Sequence, residues 1–264
     1  MLMWLGLAAL VLGAPDQQML EASRALEAGR LDQAKAMIAK AIALKAPAPA
    51  IDRLLAELAF RENRDAEALE RYVVLLKDSP TNSLYAERAA IAALRQGEVA
   101  RAADLALRAT ASPAASWRAW NARGVVADLQ GDWDAADAAY RRASGLAPDR
   151  PELLNNRGWS LMLRGAWNLA LPLVQRAAAL DPQSARARNN LELVQVAIAE
   201  ELPQRRPGES DEDYAARLND AGVVAGIQGA SARAVAAFSR AIETRGQWYR
   251  RAASNLALAQ QKIP

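Results

Sequence analysis

The strongest constraint on what this chain can fold into is an internal repeat. Gly124, Gly131, Ala136, Tyr140, Ala143 and Pro148 return as Gly158, Gly165, Ala170, Val174, Ala177 and Pro182, each displaced by about 34 residues. Trp133 and Trp167 share the offset, as do Asn121 with Asn155 and Arg123 with Arg157. The same frame runs backwards through Gly97, Ala102 and Ala109, then Ala56, Ala68, Tyr72 and Pro80, then Ala22, Gly29, Ala34 and Ala41. A period of this length means one supersecondary unit stacked repeatedly, each copy burying its apolar face against its neighbours.

The unit is helical. Roughly a quarter of the chain is Ala, the strongest helix former, and alternating runs of β-branched and polar residues are nearly absent. Small side chains at Gly124 and Ala136 let helix A and helix B of one unit approach closely, and Ala143 admits the first helix of the next unit. Trp120 and Tyr140 supply larger contacts. Pro148 stops helix B because it lacks the amide that the helical ladder needs. Gly131-Asp132 forms the turn, with Asp132 placed to cap helix B. The frame defines five full repeats: 15–48, 49–82, 83–116, 117–150 and 151–184. One more A-type helix follows, from Ala185 to about Glu201. Pro203-Gln204-Arg205-Arg206-Pro207-Gly208 then reads as linker, and Ser210 with Asp213 offers a capping box. The repeat resumes with Gly222, Gly229, Ala234, Phe238 and Ala241, and Arg250 to Lys262 reads as a terminal helix. The expected organisation is an N-terminal segment 1–14, an array 15–202, a linker 203–214 that forms a seam in the stack, and a resumed repeat 215–264.

These residues resemble the tetratricopeptide repeat family. That resemblance implies an all-α, right-handed α-solenoid whose A helices line a concave wall, and a non-enzymatic role in binding a protein or peptide partner. Arg217-Leu218-Asn219-Asp220-Ala221-Gly222-Val223-Val224, Ala237-Phe238-Ser239-Arg240-Ala241-Ile242-Glu243 and Ala252-Ala253-Ser254-Asn255-Leu256-Ala257 also resemble the D component of tight adherence (Flp-type) pilus assembly systems. This second resemblance implies a bacterial, envelope-associated protein acting in pilus or secretion-machine assembly. Two other roles stay open: a periplasmic chaperone for cytochrome or envelope-protein maturation, and a structural spacer that self-associates.

Composition narrows the chemistry. The chain has no His and no Cys, so imidazole-dependent nucleophilic sites and thiolate or imidazole metal sites lack raw material. No cofactor is implied. A net charge of +3, with Arg interleaved among Asp and Glu, does not point to nucleic acid. Asp128, Asp132 and Asp134 cluster in sequence, but capping and a solvated first turn account for Asp132 and Asp134.

Candidate binding residues lie on the A helices. Asn121, Asn155, Asn189, Asn219 and Asn255 share one position of the frame, with Asn156 and Asn190 at the next. A primary amide both donates and accepts, so a row of them can grip the backbone of an extended peptide; it can equally serve local bonds within the stack. Trp159, one turn beyond Asn155, lies in line with Val125 and Leu193 as an apolar strip or as ordinary packing. Arg186 and Arg188 adjoin the amides. Arg245, Arg250 and Arg251 surround Trp248 and Tyr249, a mixture suited to an acidic peptide or to solvent.

Met1 to Ala14 is apolar and is followed by Pro15-Asp16. Its length suits an export signal, with Val11-Leu12-Gly13 as a cleavage site, although no basic residue precedes it. An uncleaved membrane anchor and a buried capping helix are the other readings. Leu10-Val11-Leu12-Gly13-Ala14 also resembles a lipoprotein box in which Ala14 stands where the lipid-bearing Cys belongs. A periplasmic or envelope location is expected, with a cytoplasmic one as the alternative.

Overall fold

The computed structural model describes residues 14–199, 201–245 and 249–261. The apolar segment before Ala14, with its expected cleavage site, lies outside the described residues, as does Trp248. Among those described there are helices and no strands. They run α1 (Ala14–Glu27), α2 (Leu31–Ala43), α3 (Ala48–Arg61), α4 (Asp65–Asp78), α5 (Ser83–Gln96), α6 (Val99–Thr110) and α7 (Trp117–Gln130). Then follow α8 (Trp133–Leu146), α9 (Pro151–Leu163), α10 (Trp167–Leu180), α11 (Ala185–Ala199), α12 (Asp211–Ile227), α13 (Ser231–Arg245) and α14 (Arg250–Gln260). No helix among the described residues is long and apolar enough to cross a membrane.

The chain divides into two compact units, with the division between Leu129 and Gln130. In the first, α1 pairs with α2, α3 with α4 and α5 with α6; α2 packs on α3, α4 on α5, and α1 on α3. In the second, α9 pairs with α10 and α12 with α13. There α10 packs on α11, α13 on α14, and α12 touches α9, α11 and α14. Each unit is thus a stack of helical hairpins in which first helices meet first helices.

Alanine sets the helix spacing. All the alanines of the repeat frame, from Ala22 and Ala34 to Ala234 and Ala241, are 0% exposed. A longer side chain at any of them would force two helices apart, because a packed interior has no room to absorb it. The bulk between them comes from residues such as Leu69, Tyr72, Tyr140 and Phe238, all buried.

The turns between paired helices need a left-handed residue. Gly29, Gly97, Gly165 and Gly229 supply it, with φ between 70° and 77°. The repeat 49–82 has no such glycine; Asn63 takes the position at φ 56°, which Asn tolerates better than most residues. Side-chain caps start several helices. Asp132 accepts from the Ala135 amide at 3.0 Å and Asn82 from the Tyr85 amide at 3.1 Å. Ser210 accepts from the Asp213 amide at 3.1 Å while its hydroxyl donates to the Asp213 carboxylate at 2.6 Å. Ser210→Ala is therefore expected to lower stability by about 1 kcal/mol. Urea unfolding followed by tryptophan fluorescence checks this, and an unchanged midpoint would show that the cap contributes nothing.

The segment between α11 and α12 sits inside the second unit and is tied to both flanking helices. Pro203 is buried and its carbonyl accepts from the Tyr214 hydroxyl at 3.2 Å. Arg217 of α12 donates to the Gln204 carbonyl at 3.0 Å, and Arg206 reaches back to Asn189 and Glu192 of α11. These contacts make the segment a strap across the two helices.

Candidate peptide-binding faces

On α9 and α11 the sequence-predicted amides bond to each other. Asn190 Nδ2 donates to Asn155 Oδ1 at 2.9 Å, and Asn155 and Asn190 are 5% and 8% exposed. On α12 and α14 the same arrangement recurs: Asn255 Nδ2 donates to Asn219 Oδ1 at 3.0 Å, with Asn219 only 2% exposed. Buried amides must be paired, and these pair helix to helix. Of the two readings the sequence leaves open, these four amides follow the local one, bonding within the stack, and it is Asn190 rather than Asn189 that bonds to Asn155.

Asn189 turns toward the strap, where its Oδ1 accepts from Arg206 Nη1 at 3.0 Å. It lines a cavity of ≈ 390 Å³ with Arg206, Glu209, Arg217 and Asp220. Burial pushes the Asp220 carboxyl above its ordinary range, against the hydrogen bond from Asn219. Asn121 is half-buried on α7, in the first unit, and is engaged by neighbouring groups.

The α9–α11 pair keeps a usable edge. The Asn190-to-Asn155 bond consumes one donor and one acceptor, leaving Nδ2 of Asn155 and Oδ1 of Asn190. Both residues line a cavity of ≈ 280 Å³ together with Asn156, Trp159 and Arg186. Asn156 and Trp159 are half-buried, and Arg186 is exposed. One wall thus offers an indole, an amide pair with opposite hydrogen-bonding ends, and a guanidinium. Arg188, by contrast, donates to the Pro182 carbonyl at 2.5 Å. Near the C-terminus, Arg245 stacks on Tyr249 at 4.8 Å and pairs with Glu212, and Arg250 and Arg251 are exposed.

A third cavity was not legible in the sequence. In the first unit, ≈ 270 Å³ is enclosed by α1, α3, α4 and α5 around Glu57. The Glu57 carboxylate accepts from Arg61 Nε at 2.6 Å, from the Tyr72 hydroxyl at 2.7 Å and from Arg88 Nε at 3.2 Å. Burial pushes this carboxyl up, but Arg88, Arg61 and Tyr72 together outweigh it and hold it below the usual range. Tyr72 is driven the opposite way, upward, by its burial and by the Glu57 charge. Arg88 also donates to Glu87 at 3.0 Å and lies over the Phe60 ring at 4.7 Å. These partners lie 15 and 31 positions apart in sequence, so no local motif marks them.

Comparisons with known proteins agree with this architecture. A family model described as tetratricopeptide repeat matches residues 19–83, 87–143 and 130–185. No curated protein gives a significant sequence match. Among solved structures, a tetratricopeptide repeat protein from Parabacteroides merdae is 16% identical, with a TM-score of 0.54 over 93% of this chain and 98% of its own. PilF of Pseudomonas aeruginosa is 14% identical, with a TM-score of 0.52 over 95% and 98% of the two chains. PilW, described as a widely conserved type IV pilus biogenesis factor, is 15% identical, with a TM-score of 0.55 over 93% and 100%. At these identities the likeness is one of fold, and that fold is the helix-turn-helix solenoid class expected from the repeat frame. With most of its length matched by the family model, the chain belongs to the tetratricopeptide repeat family.

Proposed function

We propose that the protein is a non-enzymatic scaffold that seats an extended segment of a protein partner against the first helices of its second unit. The observation that carries this reading is the Asn155–Asn190 pair. Bonded to each other at 2.9 Å, the two amides present one donor and one acceptor to a cavity flanked by Trp159 and Arg186. An extended peptide backbone offers the complementary acceptor and donor whatever its side chains, and an indole beside them adds apolar contact. The fold likeness to PilF and PilW, together with the resemblance of the C-terminal stretch to tight adherence pilus components, supports a place in pilus or secretion-machine assembly. An exported, envelope-associated location fits that role and rests on the apolar first segment.

Photo-crosslinking in cells tests it. A reactive group at Trp159 or Arg186 is expected to capture a partner that a group at exposed Gln175 of α10 does not. Trp159→Ala is then expected to weaken the captured partner by about 2 kcal/mol, roughly 30-fold, as a central aromatic anchor would. Equal capture from both faces, or no loss on removing Trp159, would reject the site.

A further inference from the structure

The strap between α11 and α12 has no counterpart in the repeat frame, and it walls the ≈ 390 Å³ cavity that Asn189 lines. Three carboxylates, Glu209, Asp213 and Asp220, face that space against two guanidiniums, Arg206 and Arg217. Both arginines are committed. Arg206 donates to Asn189 at 3.0 Å and pairs with Glu192, while Arg217 donates to both Glu209 oxygens and also pairs with Glu192. Two guanidiniums and two carboxylates thus close on one another. Asp213, exposed near the start of α12, is held by the Ser210 hydroxyl at 2.6 Å. Asp220 stands two turns further along the same face, with Ala216 between them. Its Oδ1 accepts a long bond of 3.4 Å from Asn219, and no lysine or arginine pairs with it among the described residues. Arg251 of α14 acts on it electrostatically without pairing, and Arg186, next to Ala185, lines the α9–α11 cavity instead. Half-buried Asp220 is therefore a carboxylate without a counter-ion, and burial already pushes it above its ordinary range. The rest of the wall, Ala185, Pro207, Gly208 and Ala216, carries no side-chain donor or acceptor.

We propose that the strap cavity is a further binding site, separate from the amide cavity, which takes a lysine side chain presented by a protein partner. The ammonium meets the second oxygen of Asp220, and the methylene stem lies along Ala216 and Pro207. Asp213 at the mouth keeps the approach negative. Lysine fits better than arginine, because Asn219 already engages Asp220 Oδ1 and leaves one oxygen for a point donor rather than two for a planar fork. A bound ammonium also offsets the cost of holding a carboxylate away from water.

The test uses the full chain and three fluorescein-labelled peptides of one design, alternating Ser with Lys, Arg or Gln. The Lys peptide is expected to bind about tenfold more tightly than the Gln peptide, the worth of one charged contact, with affinity falling as salt rises. Asp220→Asn is expected to abolish that preference and Asp220→Glu to keep part of it. Asp220→Asn preserves the shape of the side chain and removes a charge that burial disfavours, so its unfolding midpoint is expected to equal or exceed the native one. Glu243→Gln, which removes an exposed charge of α13, is expected to leave the Lys peptide's binding unaltered, as is Trp159→Ala. These two controls separate the site from general surface charge and from the amide cavity. Equal binding of the Lys and Gln peptides, a preference that survives Asp220→Asn, or no binding would overturn the proposal. Tighter binding of the Arg peptide than of the Lys peptide would overturn the choice of an ammonium.

Discussion

Replacing Arg217 by Met is expected to destabilise the second unit by about 3–5 kcal/mol, the cost of stripping one partner from a buried ion pair. The Arg217 side chain is 6% exposed and so is that of Glu209, to whose two oxygens it donates at 2.5 and 2.6 Å. It also pairs with Glu192 and holds the Gln204 carbonyl, so the same change loosens the strap from α12. Urea unfolding of the variant measures the loss, and a drop below about 1 kcal/mol would show that solvent compensates the abandoned carboxylates. Adding Glu209→Leu is expected to restore most of the stability, because an apolar pair needs no counter-charge.

The pH response of this variant has a definite sign. In the native protein, burial pushes the Glu209 carboxyl up, but the Arg206 amide and the Arg217 guanidinium outweigh it and hold it below its ordinary range. Such a group stabilises the fold above its unfolded pKa, and that contribution is lost as pH falls through the folded value. Without Arg217 the burial remains while two of the influences that hold the carboxyl down are gone, so its folded value rises toward or past the unfolded one. The Arg217→Met variant should therefore lose less stability than the native protein as pH falls from 7 toward about 4. Parallel unfolding curves at the two pH values decide it, and parallel behaviour of the two proteins would refute the pairing.

Two glycines of α12, one turn apart, are expected to respond oppositely to alanine. A Cβ on Gly222 would meet three Phe238 ring atoms at 2.5, 2.6 and 2.8 Å, so the buried ring would have to shift toward the cavity that both residues line. Gly222→Ala should cost about 1–3 kcal/mol through overpacking, and Gly222→Leu more. At Gly226 a Cβ meets nothing within 4 Å, so Gly226→Ala should gain about 0.5 kcal/mol from helix propensity. Thermal or urea midpoints of the two variants measure the contrast; matching shifts would mean that α12 does not lie on α13 as described.

The sequence made the packing legible because a small residue has few reasons to recur at fixed spacing except a close contact. Ala136 and Ala170, or Gly158 and Gly222, announce their role by what they lack. Asn63 escaped notice since its left-handed turn depends on backbone conformation, not on the glycine a reader looks for. The amides were found, but their orientation was not: an offset counted from Asn155 falls on Asn189, whereas the start of α11 brings Asn190 round to face it. Charged clusters were the least visible. Glu57, Arg61 and Arg88, or Glu192, Glu209 and Arg217, form no motif along the chain, and only the stacking of successive hairpins joins them into buried and half-buried networks.

The fully buried alanines separate what the protein can vary from what it cannot. Helix spacing depends on methyl-sized side chains at a few fixed places, and none of those alanines lines the Glu57 cavity or the Asn155 cavity. Exposed residues at the rims, such as Arg53, Leu84 and Arg186, can therefore be exchanged without disturbing the distance between one rod and the next, whereas Tyr72 and the Asn155–Asn190 pair are held by the packing. A lineage could exchange its ligands while inheriting the same frame, and a designer could graft new specificity onto it by the same route.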